Sequence, residues 1–358
     1  MLTSFVNDLS SLALSLREGK KELFSAPLHW TILSNGDADF HDNVIFFGFE
    51  ANKSDPVLVA KVSRLIENGW MLKAEYEHLA ELWNCIGEDA ESYVPKPYAM
   101  TTLQERPVLV ISYASGESLA RLSPKSFWTD SKQVLALAKE AAHSLRNLNR
   151  LTERPIEKVE SKTLRFLEKA EKFRDLFKIS GEEEHALMTL VEKVNICTKL
   201  AEHKVLIQGD FWHGNMIRDK RRKSLMFVDW QFARWSVDVS MDVYFFLLAG
   251  ALAATENETI EQHAKDAFRL LNEWRKDIIP EYLFAYGVPE YYVLLPQKYG
   301  MMMCCVEKAV RSALEFGYSH PDDIVWRSLF AELINWSNED SLGISDSIEQ
   351  TSKPGTQL

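Results

Sequence analysis

Three polar residues in one short stretch carry the most chemistry. An apolar run, Leu206-Ile207, leads through Gln208-Gly209 into Asp210, and Asn215 follows on the segment Phe211-Trp212-His213-Gly214. A polar turn, Asp219 to Lys223, then returns the chain through Leu225-Met226-Phe227-Val228 into Asp229 and Trp230. Two strands joined by a turn would bring Asp210, Asn215 and Asp229 to one end of a small sheet. A carboxylate that can take or orient a hydroxyl proton, beside a carboxylate and an amide oxygen able to hold Mg²⁺ against phosphates, is the set that phosphoryl transfer needs.

A lysine inside an apolar strand, Val57-Leu58-Val59-Ala60-Lys61-Val62, is the second signal. Lysine is seldom buried without a partner. An amphipathic segment, Trp70 to Trp83, follows it.

The Asp210 to Asn215 spacing is that of a kinase catalytic loop, and Asp229 stands where the metal-binding aspartate of such a site follows. The segment resembles the aminoglycoside phosphotransferase and choline kinase-like family, whose signature runs roughly H-G-D-x-x-x-x-N, then apolar residues and D-W or D-F. The likeness covers about Trp30 to Leu248 and departs from the pattern at Gln208, where the family usually has His. It implies a protein-kinase-like α+β fold in two lobes. The first would be a small antiparallel sheet with one helix over residues 1–113. The second would be a larger, mainly helical lobe over 114–336, with a disordered tail at 337–358.

Roles follow from the same resemblance. Asp210 would be the catalytic base, and Asn215 and Asp229 the Mg²⁺ ligands. Lys61 would reach the ATP phosphates and pair with Glu75, or else with Glu77. The turn Ser34 to Asn43, with Gly36, occupies the place of the phosphate-covering loop, although Asp37, Asp39 and Asp42 are poor neighbours for phosphate. The backbone around Ser112, Tyr113 and Ala114 would hold the adenine edge. Asp238 and Asp242 would cap or anchor the helix that follows them.

The elements that must position these residues are legible in outline. The first 25 residues read as a helix, with Phe5, Leu9, Leu12 and Leu16 at helical spacing. Strands are expected at 30–33, 44–50, 56–62, 98–102 and 108–113, and helices at 70–83, 127–148, 157–177, 181–202, 239–254, 260–278, 289–315 and 322–335. The hinge falls near Ser112 to Gly116.

Composition narrows the function classes. The chain has 358 residues and a formal net charge of -11, which speaks against nucleic acid and anionic membranes as partners. Residues 1–21 lack the basic start and apolar run of a signal peptide, and the longest apolar stretch, Val243 to Ala254, is too short to span a bilayer. Cys85, Cys197, Cys304 and Cys305 show no metal-binding spacing, so reduced thiols in a cytoplasmic protein are expected. The expected activity is ATP- and Mg²⁺-dependent phosphorylation of a hydroxyl on a small molecule. A nucleotide-binding pseudokinase is the alternative. A regulated protein kinase would call for D-F-G, A-P-E and a long activation segment, none of which the sequence has.

The acceptor would lie beside Asp210, against the helices after Asp242. Aromatic residues there, Trp235, Tyr244, Trp274, Tyr282, Tyr286, Tyr291, Tyr292 and Trp336, could hold a quaternary ammonium. Carboxylates, among them Glu261, Asp266, Glu273, Asp277, Glu281, Glu290 and Glu307, could hold an aminoglycoside.

Overall fold

A computed structural model describes residues 2–19, 24–33, 43–51, 53–156, 162–219, 224–255, 257, 259–287, 294–316 and 321–336. Gly36 and its turn, Tyr291, Tyr292, Glu290 and the segment 337–358 lie outside the described residues.

The amino-terminal part is a sheet lobe. Strands β1 (Leu28–Leu33), β2 (Asn43–Glu50), β3 (Pro56–Ser63), β4 (Pro97–Leu103) and β5 (Arg106–Ser112) form one antiparallel sheet in the order β1-β2-β3-β5-β4. Their β-branched and aromatic residues suit a pleated, half-buried surface. The central strand β3 is buried along most of its length and puts Lys61 between Ile45 of β2 and Leu109 of β5.

Two helices cover this sheet, at the two places where apolar spacing predicted them, where the family resemblance implied one. Helix α1 (Leu2–Gly19) packs Phe5, Leu9 and Ala13 against Phe46, Leu58 and Val110. Helix α2 (Gly69–Ile86) buries Leu72, Glu75, Leu79 and Leu82. Steps of three and four residues place these four on one face. Glu77, two residues past Glu75, is displaced from that face. It is exposed, with Lys73 3.8 Å away.

Beyond β5 the chain is mainly helical. It contains α3 (Ser131–Thr152), α4 (Lys162–Phe177), α5 (Gly181–Leu200), α6 (Ser240–Ala254), α7 (Ile260–Tyr286), α8 (Gln297–Phe316) and α9 (Pro321–Ile334). Side chains fix several starts. Asp130 accepts from the backbone amides of Lys132 and Gln133, which is why α3 begins later than apolar spacing suggested. Ser180 and Glu183 form a reciprocal capping box on α5. Helix α6 is apolar on every side and correspondingly buried, so it runs through the core of this lobe.

Between α5 and α6 lie the short strands β6 (His203–Ile207), β7 (Met216–Asp219), β8 (Ser224–Phe227) and β9 (Arg234–Ser236). β7 and β8 pair antiparallel, and β6 pairs with β9. One continuous apolar core joins Val59, Leu72 and Ile111 of the sheet lobe to Leu206, Phe227, Phe246 and Val306 of the helical part.

Candidate active site

The loop from Gln208 to Asn215 connects β6 to β7 and places Asp210 at the floor of a cleft between sheet and helices. The cleft has a volume of about 870 Å³ and is bordered by Lys61, Ala114, Asp210, Asp229, Lys308 and Arg311, among others. Its size and mixed lining suit a ligand site.

Several bonds hold the loop. Asn215 Nδ2 donates to both the backbone oxygen and Oδ2 of Asp210, each at 3.0 Å. That commits the amide nitrogen within the loop and leaves its oxygen as the atom suited to a cation. Gly209 has φ +76°, and a Cβ there would stand 2.4 Å from the Phe232 carbonyl oxygen, so glycine is required.

Gln208, the departure from the family pattern, is buried and fully used. Its Nε2 donates to the carbonyls of Val228 and Asp229, both at 3.0 Å, and its Oε1 accepts from Asp210 N at 2.8 Å. One side chain thereby locks the loop that carries Asp210 to the strand end that carries Asp229. A primary amide supplies this donor-and-acceptor pattern in any protonation state.

Asp242 braces the loop from below. Its carboxylate accepts from Gln208 N at 2.7 Å and Gly209 N at 2.8 Å, so it anchors the loop rather than capping α6. Asp238 accepts from Ser240 N at 2.8 Å at the start of α6. Burial raises both carboxyl groups to a pKa of about 6, against the lowering effect of their amide and hydroxyl donors.

On the sheet side, Lys61 Nζ meets Glu75 Oε1 at 2.7 Å and Oε2 at 2.9 Å, and also contacts Asp229 Oδ1. Glu75, and not Glu77, is therefore the partner on α2. Burial would lower the Lys61 pKa, but the Asp229 and Glu75 carboxylates outweigh it and hold the ammonium charged. Asp229 adopts left-handed backbone geometry, φ 59° and ψ 65°, uncommon for a non-glycine residue. Its side chain remains 45% exposed, against 8% for Lys61, so it is the most open member of the trio. His78 Nδ1 lies 2.9 Å from the Trp230 carbonyl and Trp235 Nε1 donates to Glu81, tying α2 to this segment.

The donor set suits Mg²⁺. A carboxylate at Asp229 and an amide oxygen at Asn215 are hard oxygen ligands, too few for a cage made by protein alone but right for an ion completed by phosphate and water. Among the described residues no group of three histidine, cysteine or acidic side chains could hold a metal.

At the hinge, Ser112 N donates to Lys96 O at 2.8 Å and Tyr113 N to Val57 O at 3.2 Å. The amides of Ser112 and Tyr113 are therefore spent inside the sheet lobe, and Ala114 borders the cleft.

Asp210 has neighbours that sequence reasoning missed. Its Oδ1 accepts from Lys308 Nζ at 2.7 Å and Arg311 Nη2 at 2.6 Å, both from α8. Burial would raise the Asp210 pKa, but these two cations dominate and hold it well below the usual carboxylate range. A signal was present: Lys308 and Arg311 stand three residues apart on a helix whose Met301 to Val306, Ala309 and Val310 are all buried. His213 also borders the cleft, packed against Trp128 and Trp212 and held neutral by burial, with a pKa near 4.

The acceptor wall expected from sequence is corrected. Tyr244, Trp274, Tyr282, Tyr286 and Trp336 are buried in the core, and Trp235 stacks under Arg154. Glu307 faces Arg234 and Lys169, and Glu281 pairs with Lys139. The aromatic rings that border the cleft include Tyr113, Phe232, Phe245 and Trp326. Hydrophobicity and helical phase alone do not say which aromatic face meets the cleft.

The pattern of the phosphotransferase enzyme family matches residues 71–276. No curated protein matches the chain. Among solved structures, an aminoglycoside phosphotransferase from Streptomyces rimosus is 16% identical, with 89% of this chain and 99% of that chain covered and a TM-score of 0.48. A choline/ethanolamine kinase family protein from Mesorhizobium loti is 11% identical, with 92% and 98% covered and a TM-score of 0.49.

Proposed function

The chain belongs to the phosphotransferase enzyme family, and from that premise we propose that it is an ATP- and Mg²⁺-dependent small-molecule kinase acting on a hydroxyl group. The observation that supports this reading is the convergence of Lys61, Asp210 and Asp229 on one cleft, with Asn215 bonded to Asp210 and Glu75 to Lys61 behind them, from four separate stretches of chain.

In this reading the adenine edge lies against Ala114 at the hinge. Lys61, fixed by Glu75, meets the phosphates, and Asn215 and Asp229 offer oxygen ligands to Mg²⁺. The ion, when bound, neutralises charge on the phosphates during transfer. Asp210 takes the proton of the acceptor hydroxyl and aligns its oxygen with the γ-phosphorus. The bond formed joins that oxygen to phosphorus, and the bond broken is the one to the β-phosphate bridge oxygen, with ADP leaving. Asp242 and Gln208 fix the position of Asp210 without touching substrate.

No helix among the described residues is long and apolar enough to cross a membrane. A cytoplasmic setting, where ATP and reduced thiols are both at hand, fits this activity, with neither nucleic acid nor membrane as a partner.

The deciding experiment follows ADP release from Mg-ATP with a panel of alcohols, wild type beside Asp210→Asn. Acceptor-dependent release that vanishes in the variant is the expected result. Undiminished release in the variant would refute the assignment of the base. Failure of the wild type to bind Mg-ATP in calorimetry would refute the kinase reading itself.

A further inference from the structure

Three residues past Asp210, on the same loop, stands a histidine to which the transfer step above gives no part. His213 is 5% exposed and borders the cleft. Its ring packs against two indoles, with its centre 4.7 Å from that of Trp128 and 4.9 Å from that of Trp212. An imidazole carries two polar nitrogens, and a buried polar atom generally has a partner. Among the described residues nothing bonds His213 Nδ1, which is shut off from solvent. A second histidine on the cleft differs. His263 Nε2 lies 2.9 Å from the Leu252 carbonyl, which can only accept, so that nitrogen donates within the fold.

The wall that α6 contributes to the cleft is apolar. Phe245, Ala249, Leu252 and Ala253 all border it. Successive steps of four, three and one residues put them on one stripe of the helix. Leu252 and Ala253 are half-buried, whereas their neighbours in sequence, Ala251 and Ala254, are buried. The stripe therefore keeps apolar surface open to the cleft, and Val325 and Trp326 of α9 border the same space. Covering such surface favours an apolar ligand. A charged group laid on it would lose water and gain no partner there.

We propose that the phosphate acceptor is a neutral alcohol with an apolar body that lies along this stripe, and that His213 selects it by a hydrogen bond to a second polar group on it, a hydroxyl or a carbonyl. The inference rests on the kinase reading above. With Nδ1 enclosed, Nε2 is the nitrogen left to meet the ligand. An imidazole nitrogen can donate to a carbonyl, and can donate to a hydroxyl or accept from it, so either group would serve. Asp210 and His213 stand on one loop, which Gln208 and Asn215 brace at Asp210. The reacting hydroxyl and the second group are thus located from the same segment. An acceptor gripped at both points is aligned for transfer, whereas one with the reacting hydroxyl alone is held only by the apolar stripe.

The test compares alcohols on one carbon frame with and without a second polar group. Octanol would be set beside octanediol and hydroxyoctanone, and cyclohexylmethanol beside cyclohexanedimethanol and hydroxymethylcyclohexanone. Choline, glucose and kanamycin would serve as cationic and polyhydroxyl comparators. ADP release would be followed with Mg-ATP, and Mg-ATP binding measured separately by calorimetry. The expected result is that at least one apolar diol or hydroxyketone exceeds both its mono-alcohol and the comparators in kcat/KM by about threefold or more, as one hydrogen bond implies. The diol and ketone arms tell the two polar groups apart. His213→Phe keeps a ring against Trp128 and Trp212 but removes both nitrogens, and it should abolish that advantage through a raised KM for the favoured acceptor. His213→Gln, which keeps a polar end, should restore part of it. Preference for choline, glucose or kanamycin overturns the proposal, as does a wild type that binds Mg-ATP but takes none of the apolar acceptors. A His213→Phe variant that loses activity equally with every acceptor, with no rescue by Gln, overturns the role of His213 and shows it to be structural. The wild-type comparison and His213→Gln stand even where His213→Phe does not fold. A wild type that fails to bind Mg-ATP removes the kinase reading instead.

Discussion

The two ion clusters that face each other across the cleft are opposite in composition. On the sheet side one ammonium, Lys61, lies between two carboxylates, Glu75 and Asp229. On the helical side one carboxylate, Asp210, lies between two cations, Lys308 and Arg311. The first has a surplus of negative charge and suits an entering Mg²⁺. They also differ in construction. The first joins a strand and a helix of the sheet lobe to a loop of the helical part, whereas the second is made within the helical part alone.

The largest effect should come from Asp210→Asn. It keeps the shape of the side chain and removes the carboxylate proposed as base, so kcat should fall by about 10²–10⁴-fold while Mg-ATP binding persists. Single-turnover kinetics would check it, and an unchanged kcat would break the contrast drawn between the two clusters.

Lys61→Met comes next. It strands the buried Glu75 beside Asp229, and such a loss typically costs about 3–5 kcal/mol of stability. Urea unfolding should show that loss, and adding Glu75→Gln should restore part of it. If the double variant is no more stable than the single one, the pair is not coupled as the distances indicate.

A pH effect separates the helical side from the sheet side. Asp238 and Asp242 have pKa values of about 6 in the fold, against about 3.9 unfolded. Between about pH 4 and 6 the folded chain therefore binds more protons than the unfolded chain, so their contribution to stability falls as pH rises and is flat above that window. The drop is on the order of 3 kcal/mol for each group as an upper figure. Denaturant midpoints should decline across the window, less steeply in Asp238→Asn, and equal slopes would remove this distinction.

Gln208→Leu should have the smallest effect, about 1–3 kcal/mol, from the polar groups it leaves unpaired at Asp210, Val228 and Asp229. Activity should suffer more than stability, because the amide aligns one cluster with the other. A stability loss without any change in kcat would show that the alignment is not needed.

Much of the fold was readable because it is written in short-range pattern. All the strands of the sheet lobe lie within two residues of their sequence positions, since alternation, β-branching and turns act over a few residues. The loop residues Asp210, Asn215 and Asp229 were also legible, because two strands and a turn dictate where their ends meet. The choice of Glu75 over Glu77 was open in the sequence and depended on which face of α2 is buried, which the sheet beneath it decides.

The sequence by itself determined the kind of chemistry: a carboxylate, an amide and a second carboxylate at loop spacing, with a lysine on a buried strand. Only the tertiary structure decided what that chemistry faces. Lys308 and Arg311 lie 98 and 101 positions after Asp210, a separation over which no local pattern carries information. Their meeting depends on how α8 packs against α6 and α9, a matter of side-chain shape across three helices. The aromatic residues teach the same lesson. Composition counts them, but only packing determines which enter the core and which border the cleft.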